Sequence, residues 1–456
     1  MPREGRQEGG DVKDILKQAQ APAVSERAKQ GAETQGRNWS WVEASVWTER
    51  MLSALGNGVK GNKWFSLMDK AERLTTLEAA WLKVASNNGA AGVDRQSVER
   101  FAANSDQYLA ELAQALKERS YRPQPVRRVE IPKSDGKLRP LGIPTVKDRI
   151  VQTALKVVLE PIFEAQFLDG SYGFRPGKGC KDALREVDRL LKEGYTHVVD
   201  ADLRSYFDTI PHGRLMQRVE ERISDGAVLE LIANFLKQDI MQEGQRWTPT
   251  GGTPQGAVIS PLLANVYLHP LDVLMKEEGY RMVRYADDFV ILCSSREEAI
   301  MALEKVRAWV DENGLALHPD KTHVGDCRQP GEGFDFLGYR FEAGQRQVRK
   351  KSLQRLKEKI RKATRRTRGD SLACVVSELN PVLKGWFAYF KHAHERTFST
   401  LDAQIRRRLR AMLRKQEKRP AFGRCLNDHM RWPNRFFAQA GLFAMHAGWL
   451  CARQPR

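Results

Sequence analysis

The chain has 456 residues, room for two to four compact units, and its 75 Lys and Arg against 57 Asp and Glu give a formal net charge of +18. From Arg346 to Arg419 there are 23 basic and 6 acidic residues, so nearly all of the excess sits in one segment. Such a block is relieved by a polyanion through counterion release, which favours nucleic acid as partner and leaves an anionic membrane surface a distant second.

Residues 1 to about 37 are rich in Gly, Gln, Glu, Lys and Arg and predict a disordered tail. Order begins with Trp39, Trp41, Val42 and Trp47, whose spacing is helix-like. An amphipathic helix follows over Thr76–Val84, ended by Asn87-Asn88-Gly89, and another over Gln107–Arg119 with Leu109, Leu112 and Leu116 on one face. Val126–Ile131 reads as a strand turned at Ser134-Asp135-Gly136, and Lys147–Phe163 as a long, largely buried helix. His197–Leu203 is a short strand broken by acids. Two further strands, around Met282-Val283 and Phe289–Leu292, flank Tyr285-Ala286-Asp287-Asp288. Together these predict a mixed α+β core. After Phe341 the pattern turns wholly helical, with stripes at Leu353, Leu356, Ile360 and at Leu401, Ile405, Leu409, Met412.

Six scattered cysteines without a C-x-x-C pair suggest neither a zinc site nor a disulfide framework, and fit a reducing cytoplasm. His392 and His394 lack partners of metal-site spacing. The sequence has no run of about 18 apolar residues and no signal-peptide core, which predicts a soluble intracellular protein. Gly177-Lys178-Gly179 is not a Walker A loop: Tyr172 stands where that motif needs glycine, and Gly179 where it needs Ser or Thr.

Adjacent acids at a hairpin tip suit hard divalent cations. Nucleotidyl transfer needs two such ions, and carboxylates from a second segment to hold them. Asp200 and Asp202 share one face of the His197–Leu203 strand, so either can oppose the hairpin acids.

The order of motifs resembles that of reverse transcriptases encoded by bacterial group II introns, from about Trp64 to the basic C-terminal helices. It runs through Gly89-Ala90-Ala91-Gly92-Val93-Asp94, then Ile131-Pro132-Lys133-Ser134-Asp135-Gly136-Lys137-Leu138-Arg139-Pro140-Leu141-Gly142-Ile143-Pro144-Thr145, then Gly170-Ser171-Tyr172-Gly173-Phe174-Arg175-Pro176-Gly177. The Asp202 segment, Gly252-Thr253-Pro254-Gln255-Gly256, the Tyr285 tetrad, His318-Pro319-Asp320-Lys321-Thr322 and Phe334-Asp335-Phe336-Leu337-Gly338-Tyr339 complete the series.

The resemblance implies an α+β right-hand polymerase: fingers and palm with an antiparallel palm sheet over 38–345, an all-helical basic thumb and maturase region over 346–418, and a short basic, DNA-binding extension over 419–456. It makes Asp202, the Leu203 carbonyl and Asp287 metal ligands for two Mg2+ ions, with Mn2+ as substitute. Asp288 supports them, and Lys321 is the general acid for pyrophosphate. Lys133 and Arg139 match the triphosphate grip, with Ile143, Phe207 and Gln255 in the dNTP site. Lys137 is either an assistant to that grip or a solvated turn lysine, and Phe207 rejects a 2′-hydroxyl by bulk. Arg175 and Lys178, with Arg406, Arg407, Arg408 and Arg410, are the expected nucleic-acid contacts. Trp386, Phe387, Tyr389 and Phe390 offer rings for stacking on bases, but their close spacing assigns most of them to the thumb core.

The expected activity is RNA-directed DNA polymerisation of intron RNA into cDNA, with promotion of splicing and mobility. The implied partners are group II intron RNA, an RNA template with DNA primer, dNTPs and target DNA, in the bacterial cytoplasm and nucleoid, as monomer or homodimer. No endonuclease domain is expected, since the paired cysteines and histidines are missing. The alternatives are an intron-independent reverse transcriptase serving defence or repair, and an RNA-binding splicing factor without catalysis, against which the intact acids argue. A viral RNA replicase predicts a small residue in place of Phe207.

Overall fold

A Thr-x-x-Asp sequence opens the helix on which the first part of the chain is built. Thr145 Oγ1 accepts from the Asp148 backbone N–H at 3.1 Å and donates to Asp148 Oδ2 at 2.8 Å, a reciprocal cap that starts the helix Val146–Glu164. In the computed structural model, which describes residues 39–132, 138–419 and 425–453, this helix buries Ile150, Val151, Leu155, Val158 and Leu159. The helix Leu74–Asn87 packs against it and buries Leu77, Trp81 and Val84, each buried side chain contributing roughly 1.5–3 kcal/mol. Asn88 ends that helix in the left-handed region at φ 40°.

Trp39, Val42 and Trp47 are buried, but the segment Trp39–Trp47 folds as turns, and among the described residues the first helix is Glu49–Asn57. The expected helix is absent because a tryptophan gains its burial from size: Trp47 packs and donates its indole N–H to the Val157 carbonyl at 3.0 Å without helical backbone.

The chain divides into two compact units. One takes in the described residues up to Ala183, Ala201–Phe289 and Met301–Thr322; the other takes in Leu184–Asp200, Val290–Ile300 and the described residues from His323 on. In the first unit, β1 (Val126–Pro132) and β2 (Leu138–Ile143) pair antiparallel from Arg127↔Ile143 to Pro132↔Leu138. The expected turn at Ser134-Asp135-Gly136 lies outside the described residues. After β3 (His197–Asp202), strands β4 (Ile240–Gln242) and β5 (Gln245–Trp247) extend the β1/β2 pair into a sheet of order β2-β1-β4-β5.

The expected palm hairpin is present. β6 (Arg281–Tyr285) and β7 (Asp288–Cys293) are neighbours joined by two residues, Ala286 and Asp287, a length that only an antiparallel hairpin permits. In the second unit, β3 and β8 (His323–Asp326) run antiparallel from His197↔Asp326 to Asp200↔His323. Phe289 to Cys293 are completely buried, as the unbroken apolar run requires.

In the second unit, β9 (Phe334–Phe336), β10 (Tyr339–Glu342) and β11 (Gln345–Val348) form an antiparallel sheet. The expectation of a wholly helical chain after Phe341 is therefore corrected: Gln345–Val348 pairs with β10, and its polar alternation hid a strand with one solvated edge. The helices Lys350–Ala363, Leu372–Phe390 and Glu395–Gln416 follow, with Leu356, Ile360, Leu401, Ile405, Leu409 and Met412 buried as their spacing predicts. Asp402 accepts the backbone N–H groups of Met445 at 3.1 Å and His446 at 3.0 Å, docking the helix Met445–Arg453. Trp386, Phe390 and Phe398 pack together, Trp386 against Phe390 at 4.8 Å between centroids. Among the described residues, no helix is long and apolar enough to cross a membrane.

Candidate active site

Asp202 ends β3, where the chain is pinned on its flank. Its carbonyl accepts from the His318 N–H at 2.8 Å, Leu203 bridges Leu317, and the Arg204 N–H reaches the Ala316 carbonyl at 2.8 Å. These bonds carry Lys321 to the acid, and its Nζ lies 2.6 Å from Asp202 Oδ2. Asp200, one strand period earlier, is the β3 residue that pairs with His323.

Asp287 occupies the β6–β7 turn and is half-buried, as is Asp288 at the start of β7. Burial raises the Asp287 carboxyl above its usual range; the charge of Asp202 acts in the same sense, while its own backbone N–H, Arg139 and Lys321 oppose. Two acids and two cations from four separate segments thus share one field. The turn itself is strained: Ala286 has φ 59°, a left-handed conformation costing a non-glycine residue about 1–2 kcal/mol.

Arg139 Nε donates to Gln255 Oε1 at 3.0 Å, and Gln255 Nε2 donates to the Asp208 carboxylate at 3.2 and 3.1 Å. The Gln255 carbonyl also accepts from the Gly142 N–H at 2.6 Å. At Gly256, φ 109° and the nearby Gly142 carbonyl exclude any Cβ. A cavity of about 310 Å3 opens beside these residues, lined by Phe207, Asp208, Gln255, Gly142, Pro140 and Arg128. Phe207 is half-buried and Ile143 lies on β2 opposite Arg127. Lys133 and Lys137 lie outside the described residues.

Of the other expected nucleic-acid contacts, Arg175 and Arg410 are taken up inside the fold. Arg175 is buried: Nε and Nη2 hold Glu164 at 2.9 and 2.6 Å, and Nη1 donates to the Leu168 and Ser171 carbonyls. Its fork is spent inside the fold and does not reach a phosphate. Lys178 is taken up by Asp169, whose carbonyl and carboxylate it contacts at 3.0 Å. Arg410 is buried with Nε on the Trp432 carbonyl and Nη2 on Asn434 Oδ1, each at 2.9 Å, so it too is no phosphate contact. Arg408 donates to Thr364 Oγ1 at 2.6 Å and is half-exposed, as are Arg406 and Arg407.

Sequence reasoning missed Asp208, and it missed Arg284 with Asp272 and Asn265. The signal for Arg284 was a charge set inside an apolar strand; for Asp272, an acid on a helix of buried Leu and Val.

Among the described residues, no group of three or more His, Cys, Asp or Glu is preassembled around a metal. The donors at the site nevertheless fit a hard divalent cation. Asp202, Asp287 and the Leu203 carbonyl offer oxygen only, and the Lys321 ammonium already rests on Asp202 as a cation in that position.

Residues 131–341 match the reverse transcriptase (RNA-dependent DNA polymerase) family, and residues 353–432 match the group II intron, maturase-specific domain. Protein YkfC of Escherichia coli K12 is 36% identical over 344 residues, covering 66% of this chain and 85% of YkfC. The group II intron-encoded protein LtrA of Lactococcus lactis is 31% identical over 328 residues, covering 57% of this chain and 54% of LtrA, so the alignment spans about half of that relative. Among solved structures, the partial Cas6-RT-Cas1--Cas2 complex is 27% identical with a TM-score of 0.35, covering 54% of this chain and 41% of that one. Reverse transcriptases are divalent-metal enzymes, which agrees with an all-oxygen donor set. A polymerase palm turn, its opposing acid and a matched maturase domain on one chain have one common explanation: the chain belongs to the family of group II intron-encoded reverse transcriptases and maturases.

Proposed function

We propose that this protein is an RNA-directed DNA polymerase that copies group II intron RNA into cDNA, and that its helical region binds that RNA to promote splicing and mobility. The observation that carries the reading is the shared field of Asp202, Asp287, Lys321 and Arg139, two acids and two cations drawn together from distant segments.

In this reading Asp202, Asp287 and the Leu203 carbonyl hold two Mg2+ ions, with Mn2+ as substitute. When bound, they supply charge neutralisation and a more acidic primer hydroxyl. Asp288 supports the ligand pair. Arg139 and Lys133 grip the triphosphate, the former as a planar fork aimed by Gln255. Phe207 stands at the wall of the cavity and turns away a 2′-hydroxyl. Lys321, an ammonium beside the reacting acids, gives its proton to the departing pyrophosphate. Arg406 and Arg407 carry phosphate contact in the basic helix.

Primer extension with dNTPs and Mg2+ on an RNA template tests the polymerase: product is expected from the wild type and none from Asp287→Ala. Splicing of the cognate intron RNA with and without protein tests the maturase, and an unchanged splicing rate would refute it.

A further inference from the structure

Arg284 is fully buried, and its guanidinium serves three groups. Nε donates to Asp272 Oδ1 at 2.7 Å and Nη2 to the other oxygen of the same carboxylate. Nη1 donates to Asn265 Oδ1 and to the Ala286 carbonyl, each at 2.9 Å. Asn265 carries the chain onward, its Nδ2 donating to the Gly173 carbonyl at 2.8 Å. Gly173 lies flush with the turn: a Cβ there would collide with the Ala286 nitrogen and stand 2.9 Å from the Tyr285 carbonyl carbon. The backbone of Arg284 is tied to the same segment, its N–H to the Gly170 carbonyl and its carbonyl to the Tyr172 N–H, both at 2.8 Å.

A buried ion pair is a poor stability device, since apolar replacement of both partners is often neutral or stabilising. The cost of desolvating Arg284 therefore calls for another return, and the remaining bonds of its fork identify it. They hold the carbonyl of Ala286, the left-handed residue directly before Asp287. Left alone, that turn would relax toward a less strained backbone and take the carboxylate with it.

We infer that Arg284, braced by Asp272 and Asn265, is a positioning residue that fixes the Ala286-Asp287 turn and so aims the Asp287 carboxylate. It touches neither substrate nor reacting atoms. Lysine preserves the charge facing Asp272 but lacks the planar fork, so it cannot serve Asp272, Asn265 and Ala286 together. The inference rests on the polymerase reading of Asp287.

The test compares wild type, Arg284→Lys, the apolar double replacement Arg284→Met with Asp272→Leu, and Asp287→Ala. Each is measured for its urea midpoint, for single-nucleotide kcat and KM, and for Mn2+ binding followed by the electron paramagnetic resonance signal of the free ion. A folded Arg284→Lys protein is expected to lose about 10- to 100-fold in kcat and about 10-fold in Mn2+ affinity, with dNTP KM within about 2-fold of wild type. A folded variant whose kcat and Mn2+ affinity both stay within about 2-fold of wild type overturns the inference. Should Arg284→Lys fail to fold, the double replacement decides by the same measures; should neither fold, the pair is a fold element and the inference fails. If Asp287→Ala still extends primers, the polymerase reading falls and the inference with it. An active Arg284→Lys beside a dead Asp287→Ala sinks the positioning role alone.

Discussion

Lys321 Nζ and Asp202 Oδ2 are 2.6 Å apart, and both side chains remain open to solvent, at 54% and 36% exposure. An ion pair that wet contributes about 0–1 kcal/mol, so stability does not account for it. Its meaning is competitive: the ammonium occupies a carboxylate oxygen that a divalent cation would also take. Lys321→Ala should leave the melting temperature unchanged, lower kcat about 100-fold through loss of the general acid, and tighten Mn2+ binding. Single-turnover extension and Mn2+ titration check both halves; unchanged kcat removes Lys321 from the chemistry.

Phe207 forms part of the cavity wall beside Asp208 and Gln255. Phe207→Val should raise ribonucleotide incorporation relative to deoxyribonucleotide by about 10-fold or more, the discrimination a lost steric contact of about 1–3 kcal/mol carries. Competing NTP and dNTP extension measures the ratio, and equal selectivity refutes the gate.

Asp208 orients the Gln255 amide so that its oxygen faces Arg139. Asp208→Ala frees the amide and should raise dNTP KM about 3- to 10-fold, the worth of one polar bond, with kcat less affected. Steady-state extension over a range of dNTP concentration separates the two constants, and a fall in kcat alone would count against this role.

Asp225 caps the helix Gly226–Leu236. Burial would raise its pKa, but backbone N–H groups of Met68, Leu67, Val228 and Ala227 outweigh it and hold the carboxyl below its ordinary 3.8. A depressed folded pKa adds stability above the unfolded value, and that stability is lost as pH falls from 3.8 through the folded value. Urea unfolding between neutral pH and the acid range should therefore show a steeper loss for wild type than for Asp225→Asn. Identical slopes would contradict the assignment.

Arg410 and its neighbours should separate by readout. Arg410→Met leaves the Trp432 carbonyl buried without a donor and should cost about 1–3 kcal/mol of stability. Arg406→Glu and Arg407→Glu should leave stability alone, weaken RNA binding and reduce the salt slope by about 1–2. RNA titrations at two salt concentrations check this; loss of RNA affinity by a fully stable Arg410→Met would reverse the assignment.

The β6–β7 turn was legible in the sequence because a hairpin leaves only two residues at its tip, and apolar runs marked both strands. The choice between Asp200 and Asp202 was not. Both lie on one strand face, and only the resemblance singled out the acid five residues before Phe207. Arg175 and Arg410 show the other limit, since a sequence displays an arginine's charge but not the carboxylate or carbonyl that absorbs it. Glu164 ends a helix while Arg175 lies in the loop beyond it, and Trp432 is well beyond the helix that carries Arg410. Arg284 was passed over for the same reason: a single charge in a strand is ambiguous until its partner Asp272 is known.

The route of the chain bears on how the protein can be dissected. The compact unit that contains the maturase-matching helices also draws on Leu184–Asp200 and Val290–Ile300, both encoded within the polymerase-matching half. A fragment begun at His323 would keep β8 but lose β3, its antiparallel partner from His197 to Asp200, and present a bare strand edge prone to aggregation. It would also lose Asp188, the ion-pair partner of Arg346. The two matched regions occupy successive stretches of the sequence, yet no single cut between them leaves both compact units whole.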